Sequence, residues 1–199
     1  MCLRPLFEKR PGRWLEVGVG TGRFAWALGI GEGVDPSPPM LALAASRGLE
    51  TYEGTAENLP FPKSSFDGVL MALTLCFVAN SQKALRECRR VLHPGGCLLL
   101  GIVPADSPWG REYITKASQG HPVYARAHFH TAAEVMSLAQ DAGFALSEAK
   151  STLFWKPGET PPPEPQIEAG IVSGAGFLGL LFEETAAGPF NPDHLEARG

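Results

Sequence analysis

Apolar and polar positions along this chain fall into two rhythms. Short apolar runs bounded by glycine read as strands, and segments whose apolar residues recur every three or four positions read as helices. Arg13 to Val17 predicts a first strand, Gly22 to Leu28 a short helix, and Gly31 to Asp35 a second strand. Ser37 is placed to cap the next helix, with Pro38 at its first position and Gly48 at its end. Leu49 to Glu53 predicts a third strand. Phe66 to Leu75 is a near-continuous apolar run, the pattern of a parallel strand buried on both faces. Ala84, Leu85, Cys88, Val91 and Leu92 keep helical spacing from Ser81 to Leu92, until Pro94-Gly95-Gly96 stops the helix. Cys97 to Val103 reads as another buried strand.

Beyond this the pattern changes. Thr131-Ala132-Ala133-Glu134 has the form of a capping box and opens a helix that runs to Gly143. Phe144 to Phe154 and Gly176 to Phe182 read as strands, separated by a proline-rich connection from Pro157 to Pro165. Strands alternating with helices predict an α/β fold on a parallel sheet. A single domain is expected, with a core of 12–183, a substrate-covering insertion at 104–130, and a flexible tail at 184–199.

Composition narrows the class. The 199 residues are 44% hydrophobic and 19% charged, which suits an ordinary globular domain. The net charge of −4, with no basic block, argues against nucleic acid as a partner. Arg86, Arg89 and Arg90 read as a solvated helix face. None of Cys2, Cys76, Cys88 and Cys97 forms a C-x-x-C pair, and Cys88 and Cys97 occupy apolar positions, so buried inert thiols are expected. No secretory leader or membrane-spanning run is visible, and a cytoplasmic protein without membrane association is expected.

The chemistry concentrates in Glu16-Val17-Gly18-Val19-Gly20-Thr21-Gly22. Glycine at every second position lets a ligand approach the backbone closely. The loop follows the first strand, where open α/β sheets bind their ligands. A dinucleotide fingerprint would need a third glycine at Arg23, and here it comes one position early, which disfavours a nicotinamide-dependent oxidoreductase. Glu16 would repel a pyrophosphate and would favour a ligand carrying an ammonium and a sulfonium, as S-adenosylmethionine does.

Five ordered blocks bear on that ligand. They are Leu15 to Gly22, Gly33-Val34-Asp35-Pro36-Ser37, Gly54-Thr55-Ala56-Glu57-Asn58-Leu59-Pro60-Phe61, Ser65-Phe66-Asp67-Gly68-Val69, and Leu85 to Gly96. Through them, residues 13 to 103 resemble the class I S-adenosylmethionine-dependent methyltransferases, in the branch that includes ubiquinone/menaquinone-biosynthesis enzymes. The resemblance implies a Rossmann-like sheet of seven strands in the order 3-2-1-4-5-7-6, its last strand antiparallel. It implies S-adenosylmethionine as cofactor and methyl transfer to a small-molecule acceptor. A competing reading is a module that binds the cofactor for regulation or assembly without transferring methyl groups.

The resemblance also assigns cofactor residues. Gly18, Gly20 and Gly22 face the ribose and methionine parts, and Glu16 lies near the methionine ammonium, unless it caps amides of the turn. Asp35 holds the ribose diol, a task suited to a carboxylate that accepts from two hydroxyls, and Pro36 offers adenine an apolar face. Thr55 stands where the family usually has an acid, so its hydroxyl or Glu57 takes the adenine amino group. Ala56 donates to the ring from its backbone, and Leu59 packs opposite Pro36 unless Leu59-Pro60-Phe61 is a hydrophobic turn packed on the core. Backbone carbonyls from Met71 to Leu75 take the ammonium. Cys76 and Phe77 replace histidines common in the family, which removes one source of a general base. No catalytic residue is assigned. Acceptor-side candidates are Trp109, Tyr113, His121, Tyr124, His128, Phe129 and His130. The leaving group is neutral, so positioning supplies much of the catalysis and no metal is expected. The short lead before the first strand implies a site more open than in relatives with covering helices, or one closed by a partner.

Overall fold

A computed structural model describes residues 2–185. The elements in chain order begin with α1 (Arg4–Phe7), β1 (Trp14–Val17), α2 (Arg23–Leu28), β2 (Glu32–Asp35), α3 (Pro38–Ala45) and β3 (Glu50–Glu53). They continue with β4 (Phe66–Ala72), α4 (Ser81–Val91), β5 (Leu92–Ile102), α5 (Pro108–Ser118), α6 (Ala132–Asp141), β6 (Phe144–Thr152), β7 (Glu168–Ala169) and β8 (Phe177–Glu184). One sheet runs β3-β2-β1-β4-β5-β8-β6-β7. The pairings among β1 to β5 are parallel, and β8 runs antiparallel between β5 and β6.

The fold class is the expected one, and the strand count is corrected from seven to eight. The additional strand, β7, is the two-residue pair Glu168–Ala169, which bonds to Lys150 and Ser151 at the sheet edge. Two exposed residues, one charged and one alanine, are too short a run to show alternation, so nothing in the pattern announces them.

Alternation along the central strands builds two cores. Leu98 and Leu100 of β5 face the layer of α4 and α6, where Leu85, Cys88, Val91, Val135 and Ala139 are buried. Leu99 faces the other way, with Leu70 and Leu181, onto Ala25, Leu28, Leu41 and Ala44 of α2 and α3. Leu3 and Leu6 join this second layer fully buried, so the packed core begins well before residue 12. The expected flexible tail lies outside the described residues from 186 onward, whereas Glu184 still pairs with Phe144.

Local chemistry explains several boundaries. The capping box holds: the Glu134 amide donates to Thr131 Oγ1 at 3.2 Å and the Thr131 amide donates to Glu134 Oε2 at 2.7 Å. Ser37 precedes α3 without a side-chain cap, and its amide donates instead to Asp35 Oδ1 at 2.9 Å. The apolar run that starts at Phe66 leaves the sheet at Ala72, because Leu73 takes a left-handed conformation with φ +59° and Leu75–Phe77 forms a single 3-10 turn. A branched residue at that φ is uncommon, and such strain concentrates at functional sites.

Candidate functional site

A cleft of about 730 Å³ opens where β1, β2 and β4 end. Gly18 and Gly20 form its floor, and Asp35, Pro36, Thr55, Ala56 and Glu57 one wall. Leu73, Thr74 and Phe77 form the other.

The three loop glycines serve different ends. A side chain at Gly18 would overlap Thr74, whose hydroxyl donates to the Gly18 carbonyl at 3.3 Å. A side chain at Gly22 would press on Ala44 at 3.1 Å and on Leu49, so that glycine seats α2 against α3. Gly22 lies outside the cleft lining. Beside Gly20, at φ +51°, there is nothing within 4 Å. The space that a Cβ would take there is open cleft, so Gly20 is the glycine whose bareness leaves room for a ligand.

Asp35 is held at the rim by both oxygens. Oδ2 accepts the Gly20 amide at 2.9 Å and Oδ1 accepts the Ser37 amide at 2.9 Å. A carboxylate offers about four acceptor directions, so each oxygen keeps capacity for a hydroxyl in the cleft. Across the wall, Glu57 Oε1 accepts the amides of Ala79 and Asn80 at 2.7 and 3.1 Å and ties the β3 side of the cleft to the segment after β4.

The side chains of four other residues named for the ligand lie away from the cleft; for Met71 and Leu75 the expectation concerns backbone carbonyls, and Ala72 to Thr74 between them do line it. Glu16 is 1% exposed, and its Oε2 accepts the Ala25 amide inside α2 at 2.7 Å. Burial pushes its carboxyl up to about 8 against the pull of that amide, with the Asp35 charge adding to the rise. It is the cap of the turn rather than a wall of the cleft. Leu59 and Met71 are buried in the core, Leu59 with its amide on Glu87 Oε2 at 3.0 Å. Leu75 is buried as well, and it lines a neighbouring recess. Residues that sequence reading missed take their places. Met40 sits one turn into α3 behind Pro36, a position helical spacing could have indicated. Val123 and Arg126 reach the cleft only through the folding of a distant segment, whereas Thr74 falls within the Met71–Leu75 stretch already named.

The recess holds about 20 Å³, room for roughly one water or methyl. Leu73 borders both it and the cleft, and Cys76, Ile102, Phe129 and His130 line it. Burial, then the neighbouring His128, lowers the His130 pKa, so the imidazole is neutral at pH 7. Its Nε2 stands 3.3 Å from Ser81 Oγ. Most other aromatic candidates of the insertion pack on one another. Tyr124 stacks between Tyr113 and His121 at centroid distances of 4.5 and 4.4 Å, and Trp109 donates to the Trp155 carbonyl at 2.7 Å. Burial raises the Cys76 thiol to about 11 and the Cys88 thiol to about 12, which keeps both protonated. Among the described residues no group of histidine, cysteine and acidic side chains has metal-site geometry, and no helix is long and apolar enough to cross a membrane.

Comparisons with known proteins converge on this region. A model of the methyltransferase domain matches residues 15–100. A Thermotoga maritima structure, described as a SAM-dependent methyltransferase and possible histamine N-methyltransferase, superposes with a TM-score of 0.83 at 39% identity. The match covers 88% of this chain and 83% of that one. A Mycobacterium tuberculosis protein of uncharacterized role is 40% identical over 196 residues, 98% of this chain and 69% of its own. The demethylmenaquinone methyltransferase of Mycobacterium bovis is 43% identical over 166 residues, 82% of this chain and 62% of its own.

Proposed function

This chain belongs to the S-adenosylmethionine-dependent methyltransferases, and from that premise we propose that it methylates a small molecule using the cleft above Gly20. S-adenosylmethionine is the cofactor, and when bound it supplies a methyl group activated by a sulfonium. Two observations fit that ligand to this cleft: the Cβ direction of Gly20 is empty, and Asp35 sits at the end of β2 with acceptor capacity to spare. The Asp35 position carries the reading. In it, Asp35 takes the ribose diol, Gly18 and Gly20 let the sugar and methionine parts lie against backbone, and Pro36 and Met40 offer adenine apolar contact. The Thr55 hydroxyl and the Ala56 amide are the polar groups at the adenine end. Glu57 is left to its two amides.

Methyl transfer with a neutral leaving group asks the protein chiefly to align acceptor and methyl and to exclude water. Leu73 stands between the cleft and the recess, which supports an acceptor end there. Neutral His130 is the basic group on that side for an acceptor that must lose a proton. The small-molecule assignment rests on the cleft's size, within the range of about 300–1,000 Å³ usual for ligand pockets, and on the acidic balance of the chain. The test is labelled-methyl transfer from S-adenosylmethionine into a fractionated metabolite extract, beside protein and nucleic-acid fractions. Label in the low-mass fraction supports the proposal, and label confined to macromolecules overturns it.

A further inference from the structure

The insertion between β5 and α6 meets the cleft through Val123 and Arg126, at the 3-10 turn Tyr124–Arg126. That turn is fixed from both sides. Tyr124 is stacked between Tyr113 and His121, and the His128 amide donates to the Cys76 carbonyl at 2.7 Å. Arg126 is the one cation among the described residues that line the cleft. Among the described residues its guanidinium makes no ion pair. The carboxylates in the same lining are already engaged, Asp35 with the amides of Gly20 and Ser37 and Glu57 with those of Ala79 and Asn80. The cleft therefore presents one uncompensated guanidinium beside the apolar side chains of Phe77 and Val78.

A guanidinium offers its donors as a planar fork that matches a carboxylate, and an apolar rim strengthens such a pair by displacing water. We propose that Arg126 is the carboxylate-binding residue of this cleft, delivered by the insertion as it covers the ligand. The inference rests on the cofactor reading of the cleft. Two sources carry the required group: the methionine end of the cofactor, or a methyl acceptor that is itself an acid.

Calorimetry separates them. S-adenosylhomocysteine, which has the carboxylate, and 5′-methylthioadenosine, which lacks the amino-acid end, are titrated into wild type, Arg126→Gln and Arg126→Lys. If the cofactor supplies the group, Arg126→Gln weakens S-adenosylhomocysteine about tenfold or more, leaves 5′-methylthioadenosine unchanged, and Arg126→Lys recovers part of the loss. If the acceptor supplies it, both nucleosides bind all variants equally. Benzoate, but not benzamide, then binds wild type saturated with S-adenosylhomocysteine and fails to bind Arg126→Gln. The guanidinium makes no ion pair among the described residues, so the melting temperature of Arg126→Gln should match wild type. Equal weakening of both nucleosides, or no effect of Arg126→Gln on either nucleoside or on benzoate, overturns the proposal. Failure of wild type to bind S-adenosylhomocysteine at all would overturn the cofactor reading as well, and is thereby distinguishable.

Discussion

Glu16→Gln tests how the loop is built beneath the cleft. Glu16 is buried, and its carboxyl rises from an ordinary 4.5 to about 8, burial being the first cause. The folded state therefore binds a proton that the unfolded chain has released over this interval. One pKa unit corresponds to about 1.4 kcal/mol, so the shift is worth on the order of 5 kcal/mol at most. Relaxation around the ionised group brings the expected effect to about 2–4 kcal/mol. A raised pKa gives stability that is full below pH 4.5 and is lost as pH rises through about 8. Glutamine keeps an oxygen for the Ala25 amide, 2.7 Å from Glu16 Oε2, and has no proton to lose. Urea unfolding from pH 5.5 to 8.5 should show wild type weakening by up to about 1.4 kcal/mol per pH unit relative to the variant. The difference between the two proteins removes the contribution of His130, whose lowered pKa acts with the opposite sign below pH 6.5. Parallel pH profiles for wild type and Glu16→Gln would refute the reasoning. So would a variant destabilised equally at every pH, since that would mean the charged form is the one the fold uses.

Other substitutions separate ligand space from packing. Asp35→Ala should weaken S-adenosylhomocysteine by about ten- to a hundredfold in calorimetry, the loss expected for charge-assisted hydrogen bonds, and should loosen the loop by freeing the amides of Gly20 and Ser37. Gly20→Val should abolish that binding, because its side chain enters open cleft, at a stability cost of about 1–2 kcal/mol from the positive φ. Gly18→Ala should instead lower the melting temperature by several degrees even without ligand, because its methyl overlaps Thr74. Thr131→Ala should cost about 1 kcal/mol in urea unfolding through the lost cap of α6 and leave ligand binding unchanged.

Periodicity carried the fold further than it carried the site. The apolar strand runs, the capping box at Thr131 and the helix stops at glycine all lie within a few residues of their structural counterparts. These signals are local, and local signals survive folding when tertiary packing agrees with them. The strand from Phe66 ended early for a reason composition does not carry, the left-handed backbone of Leu73. The strand β7 is two exposed residues, too short for an apolar pattern. At the site, Gly20, Asp35 and Thr55 line the cleft because each follows a strand whose end the apolar pattern marks. For Glu16 spacing left two roles open, at the ammonium or as cap of the turn, and the Ala25 amide on its Oε2 shows the cap. The stretch from Met71 to Leu75, named for its backbone carbonyls, does reach the cleft, at Ala72, Leu73 and Thr74, while the Met71 side chain packs in the core. Arg126 was invisible because its place depends on an aromatic stack within the insertion, a contact no motif encodes.

In the proposed binding mode Asp35 and Gly20 define the adenosine end of this cleft. A crystal structure with S-adenosylhomocysteine tests it most directly. Both ribose hydroxyls should lie within hydrogen-bond distance of Asp35, about 2.5–3.0 Å, with ligand atoms in van der Waals contact with Gly20 Cα. Nucleoside density outside this cleft, or a ribose whose hydroxyls turn away from Asp35, would contradict it.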